Sequence, residues 1–416
     1  MIPALRAFRS KNFRIFYAGQ GLALLGNWIQ SVAMSWLVYR MTGSALLLGV
    51  TAGAQQLPVL FLSPIAGVWA DRVNRRRLLV IIQTVAFAQA LTLAVLTFAD
   101  VIRVPYLIGL ALLLGIITSF ETPTRQAFLL ELIHHREDLP NAIALQSMLF
   151  QCTRFVGPSL AGLLLAFFGE AWCFLTNALC YLAIIATYAV VRVKPRDPPE
   201  TGVEWWRQLA SGFAYAFGFT GTRRLLLLLM MIGFFSAPWQ SLMPIFAGET
   251  FSGDSRTFGI LIGAVGMGAV MGTFVLAARR SVRGLGRVIS ATTITAGCAL
   301  VGFSLSQTLW VSLVFLAIFG AGLVVTAASI NTILQTLAEE DKRARIISMY
   351  VMCFLGFAPI GNFTAGALAE AIGVHWTLFA CGAIVAAAGS VFALRHASWA
   401  SAVRPVYLKQ GIIRNR

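Results

Sequence analysis

Long apolar runs alternate with short charged clusters along the whole chain. Twelve runs stand out, at 15–39, 46–70, 78–98, 105–130, 141–168, 172–191, 225–247, 257–278, 288–304, 309–337, 346–372 and 376–394. Each is close to the ~20 residues that carry a helix across a hydrocarbon core about 30 Å thick. None alternates apolar and polar positions over about ten residues, which excludes the strands of a membrane barrel. The first run is too long for a cleavable leader, and it carries Gln20, Asn27 and Gln30 with no small-residue cleavage site. The pattern predicts an all-α membrane protein of twelve transmembrane helices.

Composition agrees. The chain is 58% hydrophobic and 12% charged, against about 45–50% and about 25% in soluble domains. The net charge of +16 is informative through its distribution. With the N-terminus assigned to the cytoplasm, 27 of the 32 Lys and Arg fall in cytoplasmic segments and only Arg40, Arg103 and Arg256 fall outside. Arg125 and Arg154 lie within spans. This asymmetry puts both termini in the cytoplasm. The basic balance therefore reports orientation and attraction to anionic lipid, not a nucleic-acid partner. The six cysteines fall in or beside spans with no metal spacing and read as small apolar residues. No metal or cofactor motif, Walker loop or hydrolase motif is present, so an enzyme has no residues to carry it. The four histidines sit at loops or helix ends and read as solvated.

The one long hydrophilic interruption, Arg192 to Arg224, divides the chain into a bundle at 1–192, a central loop at 193–222, a second bundle at 223–396 and a tail at 397–416. Within the loop, Trp205, Trp206, Leu209, Phe213 and Phe217 approach helical spacing and predict a helix lying at the membrane interface. The bundles look like copies. A shift of 204 residues superposes Gly157, Ala161, Gly162, Gly169 and Trp172 on Gly361, Ala365, Gly366, Gly373 and Trp376. Nearer the start of each half, a shift of 210 superposes Arg14, Gln30, Ser31, Gly49 and Arg77 on Arg224, Gln240, Ser241, Gly259 and Arg287. Such a duplication predicts two pseudo-symmetric six-helix bundles with a substrate site between them near the midplane.

The loop after the second span reads Gly67-Val68-Trp69-Ala70-Asp71-Arg72-Val73-Asn74-Arg75-Arg76-Arg77. It resembles the signature loop between helices 2 and 3 of the major facilitator superfamily, with Asn74 in place of a second glycine. Asn is the residue after Gly that best tolerates a left-handed turn. The resemblance implies a carrier in which Asp71 latches the start of helix 11 in the outward-facing state. It also implies that the arginines, including Arg72, Arg75 and Arg76, bridge to acids on helix 4, where Glu131 is placed to serve. In helix 5, Gly157-Pro158 with Gly162 resembles a motif of proton-coupled exporters, although Ala161 stands where that motif prefers glycine; plain helix packing is the alternative. Phe120 to Phe128 and Asp138 to Ala142 resemble a bacterial branch that includes the enterobactin exporter and related siderophore and drug exporters. That places the chain in a bacterial inner membrane.

Charge inside spans is costly and marks function by default. Glu121 and Arg154 lie deep in the fourth and fifth spans, which run antiparallel and bring the two within reach. Arg125 stands at i+4 from Glu121, with Pro123 between them. They read either as a proton-coupling centre, with the arginines tuning Glu121, or as a structural ion pair. The family implies a cavity lined by helices 1, 4, 7 and 10. Asn27, Gln30, Gln55, Trp239, Gln240, Asn331 and Gln335 are its polar and aromatic candidates, and they suit a bulky amphipathic small molecule. The expectation is a monomeric secondary transporter, working by alternating access, that exports a siderophore or hydrophobic drug-like compound with protons as coupling ion. A lysophospholipid flippase, a nutrient importer and a non-transporting scaffold of the same fold remain the alternatives.

Overall fold

In the computed structural model the described residues are 3–133, 138–191, 217–279, 281–338 and 342–409, with the side chains at 3–5, 64, 67–68, 70–72, 140, 343–345 and 409 set aside. The expectations for Gly67, Asp71 and Arg72, and for the interfacial helix before residue 217, lie outside the described residues.

The first six long helices are α1 (Lys11–Thr42), α2 (Ala45–Arg72), α3 (Arg75–Phe98), α4 (Val104–Leu132), α5 (Leu139–Phe168) and α6 (Glu170–Val190). A 3₁₀ turn at Pro3–Arg9 precedes them. The seventh span comes in two helical pieces, α7a (Thr220–Ser236) and α7b (Pro238–Ile245), followed by a π-helical turn at Phe246–Thr250. Next are α8 (Ser255–Ala277), α9 (Leu285–Leu305) and α10 (Leu309–Leu337). The eleventh span is divided into α11a (Arg343–Leu355) and α11b (Ala358–Ile372). Then come α12 (Val374–Leu394) and α13 (His396–Lys409). Twelve of the spans so formed are long and apolar enough to cross a membrane. The two interruptions have a cause. Pro238 and Pro359 sit in the first turn of α7b and α11b, where a missing N–H costs nothing but the preceding helix cannot run through.

Helix ends follow local chemistry. Ser10, Ser44 and Asn74 cap α1, α2 and α3 by accepting from the N–H of Phe13, Leu47 and Arg77. The left-handed turn expected at Asn74 is not formed. Its φ of −64° is extended, and the side chain that would have excused a left-handed turn serves as a cap instead. At the matching place in the second half, Gly284 does take the left-handed conformation, with φ 77°. The repeat is also visible in Gly169 and Gly373. Both have positive φ (84° and 87°), and each opens the last spanning helix of its half.

Contacts divide the chain into two compact units. One comprises residues 1–201 with 247–263, the other 202–246 with 264–416. In the first, α2 packs on α4, α3 on α6, and α1 on α5 and α6. In the second, α9 packs on both α10 and α12, and α7a on α11a, α11b and α12. Lipid supplies no hydrophobic drive between helices, so close packing of small residues has to hold them. A Cβ on Gly115 would press on the Gln55 carbonyl, and one on Gly320 on the Val265 carbonyl. Large apolar side chains cover the surface instead, with Phe274 69% and Trp310 76% exposed, as expected where lipid is the solvent.

Candidate functional site

The first unit collects the charge. On α4, Glu121 Oε1 accepts from Arg125 Nε at 2.8 Å, and the two side chains are only 14% and 13% exposed. Pro123 does not break this turn, and α4 continues to Leu132. The ion pair is therefore made within one helix, at the i,i+4 spacing visible in the sequence. Arg154, expected to share Glu121, has no hydrogen-bond or ion-pair partner among the described residues. It is half-buried on α5, so its guanidinium stands without a counter-charge.

At the end of α4, Glu131 Oε1 meets Arg75 Nη1 at 2.5 Å, with each side chain 14% exposed. Helix 3 is thereby tied to helix 4, as the sequence led us to expect. Arg76 does something else. Its Nε and Nη2 donate to the carbonyls of Tyr188 and Ala189, both at 2.6 Å. These are free carbonyls at the C-terminus of α6, where a cation is also favoured by the helix dipole. Arg76 is a helix cap, a role sequence reasoning missed because its partner lies more than a hundred residues away.

The polar candidates separate into two groups. Gln30 is fully buried. Its amide donates to Gln89 Oε1 (3.1 Å) and accepts from Asn177 Nδ2 (2.8 Å), and Gln89 in turn donates to the Leu110 carbonyl. Asn27 accepts from the Tyr181 hydroxyl at 2.5 Å. Gln30 thus holds α1, α3 and α6 together with its side chain fully buried; the expectation that it lines a cavity gives way to a structural role. Trp239 is 5% exposed and stands edge-on to Phe319 at 5.9 Å, so it packs α7b on α10. Gln335 donates to Asn331 at 3.0 Å along α10, and both are half-buried, as are Gln55 and Gln240.

The helix 5 motif is a packing surface. A Cβ on Gly157 would strike Trp28 of α1, and one on Gly162 would meet the Ser255 carbonyl at the start of α8, which counts with the first unit. Pro158 is buried beside them. Two histidines are less solvated than expected. His375 Nδ1 lies 2.7 Å from the Ser304 carbonyl, with its ring against Phe246. His396 lines a cleft with Trp399. All six cysteines are free, and Cys173, Cys353 and Cys381 are buried.

The fold matches a solved bacterial homolog of the human lysosomal transporter Spinster, in an inward-facing and unoccupied conformation. The TM-score is 0.75 at 14% identity, covering 97% of this chain and 99% of that one; this likeness shows the fold alone. The class is a multi-pass transporter of the major facilitator superfamily. Within it, the chain belongs to the family described as transmembrane secretion effector, whose model matches residues 2–404. It is 27% identical over 366 residues to the staphyloferrin A transporter of Staphylococcus aureus, covering 87% of this chain and 90% of the relative. It is 26% identical over 364 residues to the multidrug efflux pump Tap of Mycolicibacterium fortuitum, covering 85% and 88%.

Proposed function

We propose that this transporter exports a siderophore or hydrophobic drug-like compound from the bacterial cytoplasm by alternating access, with protons as the coupling ion and both termini in the cytoplasm. The buried charges of the first unit carry the reading. Glu121 is an acid deep in a span, held by a cation one helical turn away. Protonating it releases Arg125 for another partner; deprotonating it restores the pair. Such an exchange couples a proton to a change in the local field. Arg154 supplies a second cation with no counter-charge among the described residues, suited to an anionic group on the cargo. Relatives named as a staphyloferrin A transporter and as a multidrug efflux pump support a small-molecule cargo, and the second name supports the outward direction. The Arg75–Glu131 contact supports a gating role for the helix 2–3 loop, in which Asp71 is the proposed latch.

The test uses everted membrane vesicles and a panel of siderophores and lipophilic drugs. Addition of a true substrate dissipates the pH gradient in wild type. Glu121→Gln should abolish that response while counterflow exchange of the same compound persists, because counterflow needs no net proton movement. Retained pH-driven transport in a well-expressed Glu121→Gln protein rejects the coupling role.

A further inference from the structure

The last span is followed by a helix that a twelve-span carrier does not require. On α13, Trp399 and Val403 face inward, 4% and 0% exposed. The Trp399 indole donates to the Gly221 carbonyl at 3.0 Å. Gly221 and Gly286 leave the room this needs. A Cβ on Gly286 would lie under 3.0 Å from Trp399, and one on Gly221 under 3.0 Å from Val403. The tail is thus seated on the starts of α7a and α9.

Between α13 and the start of α9 is a cleft of about 560 Å³. Arg287, Arg404, His396, Ser401 and Tyr407 bring polar groups to it, and Trp399 forms a wall. Neither 255–338 nor 371–416 contains a single Asp or Glu. The acids that bound these stretches are Asp254, Glu339 and Glu370, none of which lines the cleft; Glu339, Glu340 and Asp341 lie outside the described residues. The Tyr407 hydroxyl is buried and has no hydrogen-bond partner among the described residues, although a buried O–H ordinarily finds one. The start of α9 has no side-chain cap. Its counterpart in the first half, α3, is capped by Asn74. An uncapped helix start favours negative charge. Burial, together with the neighbouring Arg287, pushes the His396 imidazole below its ordinary value, as a cationic field would.

We propose that this cleft binds a phosphate group, carried by an anionic phospholipid or by a phosphorylated solute. Arg287 and Arg404 are its ion partners, and Tyr407 donates its hydroxyl; the Ser401 hydroxyl already donates to the Ser398 carbonyl at 2.9 Å. Two guanidinium forks and one hydroxyl offer more donors than a carboxylate has lone pairs to use well, and they match the oxygens of a phosphate. Because the site belongs to the second unit alone, it stands independently of the proton-coupling reading.

The test uses the full-length protein, reconstituted in bilayers of mixed phosphatidylglycerol and phosphatidylcholine, released for native mass spectrometry, and in parallel melted with inorganic phosphate. If the ligand is a lipid, wild type retains phosphatidylglycerol over phosphatidylcholine. The Arg287→Gln/Arg404→Gln protein should then lose that preference by about tenfold or more, the loss of at least one charge-assisted hydrogen bond. If the ligand is a soluble phosphate compound, inorganic phosphate raises the wild-type Tm, the double variant does not respond, and the two lipids are retained alike. Arg404→Gln alone, at an exposed position, serves if the double variant does not fold, and Tyr407→Phe should weaken the same response. The proposal is overturned if wild type shows neither lipid preference nor phosphate stabilisation, or if either survives undiminished in a folded variant.

Discussion

Gly115 and Gly320 fall at corresponding places in helices 4 and 10, and each lets a neighbouring backbone carbonyl pass where a side chain would collide. Around that shared contact the two units diverge. The first adds the ion pairs Glu121–Arg125 and Arg75–Glu131, an Arg154 without a partner among the described residues, and a chain of buried amides. The second has spans free of acid and base at depth. It uses hydroxyls instead, with Thr292 and Thr326 at 2.7 Å and Ser241 bonded to Asn362 at 3.0 Å. Small residues are therefore the common means of helix association, and buried charge is an addition made in one copy. Charge in a bilayer is costly, so the asymmetry supports the coupling role proposed for the first unit.

The sharpest challenge to that contrast is to remove charge from the first unit. If the Glu121–Arg125 pair is structural and not a coupling centre, Glu121→Gln strands Arg125 and should cost about 3–5 kcal/mol, read as lost thermal stability in detergent, with Glu121→Gln/Arg125→Met recovering most of it; a coupling Glu121, which is neutralised in every cycle, should leave the folded protein in place. Arg154→Met should show no such loss, since no partner is left behind. If Arg154→Met is as damaging as Glu121→Gln, the two are partners after all.

A smaller effect tests what the copies share. Gly115→Ala and Gly320→Ala should each destabilise by about 1–3 kcal/mol, the cost of forcing a methyl into a filled contact. A marked difference between the two melting shifts would mean that the glycine contact supports only one unit.

The smallest effect concerns the helix starts at which the halves differ. Asn74→Ala should cost about 1 kcal/mol through loss of the cap, and Asn74→Gly only a few tenths. At Gly284, Ala should cost about 1–2 kcal/mol because its left-handed backbone opposes a Cβ. A stabilising Asn74→Gly would indicate that the first loop takes the left-handed turn after all.

The helices were legible because each span is a long apolar run bounded by charge; the i,i+4 spacing put Arg125 within reach of Glu121, but the partner expected across helices 4 and 5 was Arg154, which does not meet it. Gln30 was misjudged for a physical reason. A polar residue in a span faces either a cavity or a buried partner, and the partners Gln89 and Asn177 come from helices whose rotation periodicity does not fix. The polar residues of α3, Gln83 and Gln89, were the available signal. Arg76 escaped for the same reason, since carbonyls at a helix end leave no trace in side-chain pattern. The tail was read as a simple extension, yet Trp399, Val403 and Tyr407 recur every fourth residue and spell one face of a helix.

The amide chain through Gln30, Gln89 and Asn177 has a mechanical consequence. It couples three helices that are remote in sequence, by bonds that cannot be traded for water at that depth. Sliding α1 against α3 or α6 would break these bonds with nothing to replace them. Whatever motion the first unit makes, it carries those three helices as a stiff frame. Bending costs least where a helix ladder is already interrupted, as in α7 and α11 before Pro238 and Pro359 and in α4 and α5 at Pro123 and Pro158.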